Sequence, residues 1–370
     1  MIIKNAKVFT DENKFIIRDI YIKGARITEP GSDESEVLDG TGLYAIPGLT
    51  DLHFHGCAGY DFCDGTHEAI QAIADYEAEN GITTILPATM ALEDVKLEYV
   101  LKNAASYKSQ QGAELIGIHM EGPYLSLAKK GAQKADCLKK PVLEHFQKMQ
   151  TAADGRIRLV SIAPEEDGAL EFITSLKDQV IFSLAHTTAD YLTALKAFSL
   201  GASHVTHLYN AMPPFNHRNP GVIGAALDTP DCRVELICDG VHIHPSVIRA
   251  TFQMFGDDRI ILISDSMQAT GMADGAYHLG GQEVTVSGNK ATLTDQTLAG
   301  SVTNLMDCMK KAVSFGIPLT SAVKCAAVNP AKEIGIFENY GSITFGKFAN
   351  IVLLDDKLNV KQVIIKGKKL

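Results

Sequence analysis

Eight short apolar runs recur through the middle of the chain, each separated from the next by a longer amphipathic stretch. This alternation restricts the fold more than any other feature. The runs span residues 49–55, 82–88, 115–121, 157–163, 180–186, 203–207, 234–239 and 260–265. Most of the intervening stretches read as helices, at residues 66–80, 92–110, 141–153, 190–200 and 245–255. Ile70, Ile73 and Ala74 share one face of the first, Gly81 is placed to end it, and Pro245 suits the first position of the last. Strand–helix alternation implies a parallel sheet, and eight such units imply an α/β fold of the (β/α)8 barrel type. A doubly wound open sheet competes, but the Gly-rich phosphate turn expected after its first strand is missing.

The two ends read differently. Residues 1–43 and 341–370 hold short alternating segments with turn signals, as at 19–23 and 360–367, and are expected to form one small β-sandwich domain. Residues 44–340 would then be the barrel, interrupted after its eighth strand by a β-like excursion at 277–293. The net charge of −10 argues against a nucleic-acid or anionic-membrane partner, while leaving room for a small anionic substrate in a locally basic pocket. Seven scattered cysteines without a CxxC fit reduced thiols. With no signal-peptide pattern and no apolar run of spanning length, the expected location is the cytoplasm.

Chemistry concentrates where the runs end. The apolar stretch 44–52 leads into Asp51-Leu-His53-Phe-His55, and in a strand His53 and His55 would share a face. The third run ends in Glu121, the fifth in His186, the sixth in His207 and the eighth in Asp265. A strand-end His or Asp is ordinarily a turn or cap residue. In a barrel, however, the C-terminal strand ends converge on one mouth, and six such residues there match the ligand set of Zn²⁺ or Fe²⁺.

Longer motifs carry a resemblance. PGLTDLHFHG (47–56), GITTILPATM (81–90), GIHMEGPYL (117–125), KKGAQ (129–133), AHT (185–187), THLYNAM (206–212), CDGVHIHP (238–245), ISDSM (263–267) and LAGS (298–301) run through nearly the whole chain. The sequence resembles the amidohydrolase superfamily and, within it, the N-acetylglucosamine-6-phosphate deacetylases. That resemblance implies hydrolysis of an acetamide on a sugar phosphate, with one or two divalent metals per subunit. Glu121, His186 and His207 would hold the main metal. His53 and His55 would hold a second, with Glu121 bridging. Asp265 would be the catalytic proton shuttle and could also lie on the metal. Substrate contacts fall on Ala132, Gln133, Asn210, Ala211, Arg218, Asp239, Gly240, Val241, His242, Leu298, Ala299 and Gly300. His242 could polarise the acetyl carbonyl or hold the sugar, and Arg218 would offer the phosphate a planar cation. His119, His204 and His244 are expected to play supporting roles. A homodimer is also implied, with the neighbour's Arg218 completing the phosphate site.

Two departures stand out. Gln133 occupies a position where some relatives carry His, and it cannot titrate. Asn350 replaces a usual Asp in the C-terminal β segment, where little catalytic consequence is expected. Amidohydrolases that bridge two metals with a carboxylated Lys on the fourth strand are a poor match, because residues 156–163 contain no Lys. A non-catalytic scaffold of the same fold, or a deacetylase of an epimeric sugar phosphate, are the remaining rivals.

Overall fold

The computed structural model describes residues 1–31, 36–109 and 111–370. Gln110, in the expected 92–110 helix, and residues 32–35 of the N-terminal segment lie outside the described residues.

The expected strands form, shorter than the apolar runs that encode them. Leu49–Asp51 pairs in parallel with Ile82–Ile85, which also pairs with Glu114–Leu115. Ile118–Met120, Ile157–Ile162, Ile181–Leu184, His204–Val205, Arg233–Ile237 and Ile260–Ile263 form a second parallel ladder in chain order. A parallel bridge between Ala88 and His119 links the two ladders. At the other side the Asp265 amide donates to the His53 carbonyl at 2.9 Å and the His55 amide to Ser266 at 2.7 Å. The result is a curled parallel sheet in which the segment after the last strand is hydrogen-bonded to the segment after the first. Helices cover its outer face, so residues such as Leu49, Ile82, Val160, Phe182, Val234 and Ile260 are fully buried.

Helix signals translate closely. The first helix is His67–Glu79, and the Thr66 hydroxyl accepts from the Ala69 amide at its start. Asp190 caps Tyr191–Leu200 in the same way, and Pro245–Phe255 forms where its sequence pattern places it. The excursion after the eighth strand is a three-stranded antiparallel sheet, Gly275–Leu279, Gln282–Ser287 and Lys290–Thr292.

Both chain ends enter one further sheet. Its order is Lys368–Lys369, Val360–Ile365, Ile351–Leu354, Tyr44–Pro47, Ile2–Phe9, Phe15–Lys23, Arg26–Thr28, with Val37–Asp39 also pairing Ile2–Phe9. Ile3, Val8, Ile20, Ile22, Ala45, Ile351 and Ile364 pack into its own small core. The apolar stretch 44–52, expected as one strand, is therefore two. Tyr44–Pro47 belongs to the terminal sheet and Leu49–Asp51 to the parallel one. Gly48 makes the division possible, because a Cβ there would sit 2.1 Å from the Thr83 hydroxyl.

Candidate active site

Four strands deliver a polar residue two positions past their last residue. Asp51 is followed by His53, Leu184 by His186, Val205 by His207 and Ile263 by Asp265. Glu121 comes directly after Met120. The sequence expectation that His53 and His55 sit inside a strand is corrected: the strand ends at Asp51, and the histidines follow it. Their segment stays aligned because Phe54 accepts from the Ala88 amide and His53 from the Asp265 amide. The backbone is left-handed at His186 (φ +44°), His207 (φ +30°) and Asp265 (φ +48°), and again at Ala211 (φ +50°). For non-glycine residues this region is sparsely populated and tends to gather at functional sites.

These residues converge. Glu121 Oε1 lies 3.2 Å from His186 Nε2 and 3.1 Å from His207 Nε2, and the two imidazole nitrogens are 3.2 Å apart. Glu121 Oε2 lies 3.3 Å from His55 Nε2, and Asp265 Oδ1 is 3.4 Å from the same nitrogen. His53 Nε2 sits 3.5 Å from Glu121 and 3.7 Å from Asp265. All six residues are buried. The carboxylate of Glu121 thus faces one group, His186 and His207, with one oxygen and a second group, His55 and Asp265, with the other.

The donor set fits a divalent metal. His186 Nδ1–H donates to the Lys129 carbonyl at 2.8 Å, which leaves Nε2 with its lone pair toward Glu121. His53 Nδ1–H donates to Glu235 at 2.9 Å, and its buried Nε2 has no hydrogen-bond partner among the described residues. Lone pairs crowded against a carboxylate need a cation between them. The three spacings around Glu121 Oε1 also match the ligand–ligand edge of about 3.3 Å that a tetrahedral site with bonds near 2.0–2.1 Å requires. Protons are the alternative cations. Burial alone would lower His55, but the hydrogen bonds and charges of Asp265 and Glu121 raise it to about 9. Burial alone would raise Glu121, yet the field of His53 and the hydrogen bonds of His186 and His207 hold it well below the usual carboxylate range. The charge complement therefore favours cations at this point in either form.

A cleft of about 500 Å³ opens over the cluster. His55, Glu121, Ala132, Gln133, His186, His207, Asn210, Ala211, His242, Asp265, Leu298 and Gly300 line it, together with Lys129 and Lys130. His53 lies buried beneath it, outside the lining. Asp239 accepts from His242 Nδ1–H at 2.7 Å and from the amides of Val241 and His242, so it fixes that imidazole from behind. Burial would lower His242, and the Asp239 hydrogen bond raises it. Gly240, Val241 and Ala299 do not line the cleft. Arg218 does not either; it is exposed on the loop at 213–220. Gln133 donates to Glu121 Oε2 at 3.0 Å and accepts from the Ala91 amide at 2.7 Å, so its amide braces the central carboxylate.

Sequence reasoning missed Glu235 and Lys129–Lys130 as parts of this region. Glu235 is a charged residue flanked by apolar neighbours within its strand, a signal visible in 234–239 but read there as strand interior. His119 lies under the cluster, hydrogen-bonded to the Leu52 carbonyl and Ser161, and burial lowers its pKa to about 3.

The amidohydrolase family profile matches residues 44–370. The chain belongs to the amidohydrolase family. Among relatives, N-acetylglucosamine-6-phosphate deacetylase of Bacillus subtilis (strain 168) is 39% identical over 99% of this chain and 93% of its own length. N-acetylgalactosamine-6-phosphate deacetylase of Escherichia coli O157:H7 is 33% identical, covering 87% of this chain and 86% of its own. Among solved structures, a mutant N-acetyl-D-glucosamine-6-phosphate deacetylase of Mycobacterium smegmatis, in complex with N-acetyl-D-glucosamine-6-phosphate, superposes with a TM-score of 0.92. It is 30% identical and covers 100% of this chain and 98% of that one.

Proposed function

We propose that this amidohydrolase removes acetate from N-acetylglucosamine 6-phosphate, giving glucosamine 6-phosphate. The observation that carries the reading is the Glu121–His186–His207 cluster at ligand spacing beneath a cleft lined by Ala132, Gln133, Asn210, Ala211, His242, Leu298 and Gly300. Full-length relatives named for this reaction support it.

Glu121, His186 and His207 would hold one divalent transition metal, with Zn²⁺ or Fe²⁺ suiting imidazole and carboxylate donors. His53, His55 and Asp265 would hold a second, sharing Glu121. When bound, such a cation polarises a carbonyl oxygen and lowers the pKa of a water toward neutrality. The chain's own groups supply the rest. Asp265 takes a proton from the attacking water and passes it to the departing amine. His242, steadied by Asp239, donates to the acetyl oxygen or the sugar. Backbone and side-chain groups of Ala132, Gln133, Asn210, Ala211, His242, Leu298 and Gly300 orient the substrate, and Lys129 and Lys130 bring positive charge to the cleft.

The curled sheet is read as a closed (β/α)8 barrel, and the terminal sheet as a small β-sandwich domain; the expected boundary at residue 43 moves to Gly48, because Tyr44–Pro47 pairs within the terminal sheet. The bonds from residues 265 and 266 back to His53 and His55 support the first, and the separate apolar core supports the second. Arg218, exposed and outside this chain's cleft, would reach a phosphate held by the neighbouring subunit of a homodimer. Seven buried free cysteines agree with a reducing, cytoplasmic setting.

The test is acetate release from N-acetylglucosamine 6-phosphate, its galactosamine epimer and the unphosphorylated sugar, with metal analysis on the same preparation. Fast turnover of the first alone bears the reading out. Preference for the epimer redirects the substrate, and no acetate from any of them at full metal occupancy overturns it.

A further inference from the structure

Glu235 lies in the middle of the seventh parallel strand, with its carboxylate wholly buried inside the sheet. It does not touch the cleft, yet it contacts two of the residues that form the metal cluster. Its Oε2 accepts from His53 Nδ1–H at 2.9 Å and from the backbone amide of His207 at 3.0 Å. Its Oε1 lies 3.1 Å from His204 Nε2. His204 in turn reaches Glu333 through Nδ1 at 2.9 Å, and Glu333 meets Arg233 at 3.0 Å. A chain of alternating charges therefore runs under the sheet and ends on a ligand.

We infer that Glu235 is the positioning residue of the metal centre, fixing the ring of His53 and the backbone of His207 with one carboxylate oxygen. The inference rests on the metal-site reading above. Two geometric facts support it. An imidazole bound through Nε2 must present that nitrogen and keep its proton on Nδ1, and the Glu235 contact enforces both for His53. His207 sits in a left-handed conformation that is sparsely populated by non-glycine residues, and the hydrogen bond from its amide to Glu235 offsets part of that strain. A purely structural role would need only the ion pairs to His204; it would not require the same oxygen to bond two separate ligand-bearing segments.

The test reads metal rather than turnover. Metal-stripped protein is titrated with Zn²⁺ against a competing chelating dye, giving Kd and stoichiometry, with circular dichroism as the folding control. Glu235→Ala is expected to raise Kd about 10–100-fold. Glu235→Gln is expected to recover most of the affinity. Its amide oxygen can still accept from His53 and the His207 amide, and its NH₂ can donate to His204 once that ring is neutral. A folded Glu235→Ala protein with wild-type Kd and stoichiometry overturns the inference. So does a Glu235→Gln protein as weak as Glu235→Ala, because charge and not position would then be the cause. If Glu235→Ala does not fold, Glu235→Asp decides. Its shorter side chain keeps the charge but cannot hold both contacts, so Kd should rise at least about 10-fold, and an unchanged Kd overturns the inference. Wild-type protein that binds Zn²⁺ but releases no acetate would fail the proposed reaction and leave this inference intact.

Discussion

The two ends of the parallel strands use buried polar groups in opposite ways. At the end that opens into the cleft, His53 Nε2 is buried facing Glu121 and Asp265 without a hydrogen-bond partner among the described residues, and His186, His207, Ala211 and Asp265 adopt left-handed backbone. At the end where the eighth strand begins, the polar groups are matched. Asn329 Nδ2 donates to the carbonyls of Asp257 and Ile260 at 2.7 Å each, and Lys324 lies 2.8 and 2.6 Å from Asp257 and Asp258. Buried polarity that is matched holds a fold together, whereas buried polarity that converges unmatched awaits something from outside. Substitutions should therefore separate cleanly, with those at the cleft altering turnover and those at the other end altering stability.

The largest expected effect is that of Asp265→Asn, which keeps the shape but cannot carry the proton. Acetate release should fall about 10³-fold while the metal held by Glu121, His186 and His207 stays bound by mass spectrometry; near-full activity would remove Asp265 from the mechanism. Next, His242→Gln should lower kcat about 10²-fold with the melting temperature little changed. A melting temperature that falls in step with kcat would erase the distinction between the two ends. Asn329→Ala should do the reverse, costing about 2–3 kcal/mol in denaturant unfolding with turnover per folded molecule unchanged.

Glu77 tests the rule where it is weakest, since both its oxygens are buried with no hydrogen-bond partner among the described residues although it lies outside the cleft. Burial, helped by the charge of Asp51, pushes its pKa up to about 8. The folded state thus keeps a proton that the unfolded chain loses above the ordinary value of 4.5. This favours folding fully at low pH and is lost as pH rises through about 8. Glu77→Gln should gain on wild type by roughly 2–5 °C in melting temperature between pH 5 and pH 9. A gap that stays constant with pH would mean that Glu77 does not titrate as its burial implies.

Much of this was legible before any coordinates. The spacing of apolar and amphipathic stretches located the parallel strands and the main helices, and Pro245–Phe255 matches its sequence pattern at both ends. The six residues of the candidate metal cluster were visible as run-ending His, Glu and Asp. What escaped depended on contacts that no local pattern encodes. The division at Gly48 follows from the nearness of Thr83, a residue 35 positions away in sequence. Glu235 looked like part of an apolar strand, because its partners lie 182 and 31 residues distant. Arg218 was expected at the phosphate, but whether a loop residue lines a cleft is settled by loop path rather than residue type.

The left-handed turns at His186, His207 and Asp265 also bear on how this centre can change. Few residues other than Gly, Asn, Asp and His accept that backbone readily. His53 and His55 are not in that left-handed region and carry no such restriction. A laboratory library aimed at a different metal preference would therefore find its tolerated diversity at positions 53 and 55. The other half of the cluster would accept little beyond what it already holds, so drift in metal usage should enter through the HxH pair.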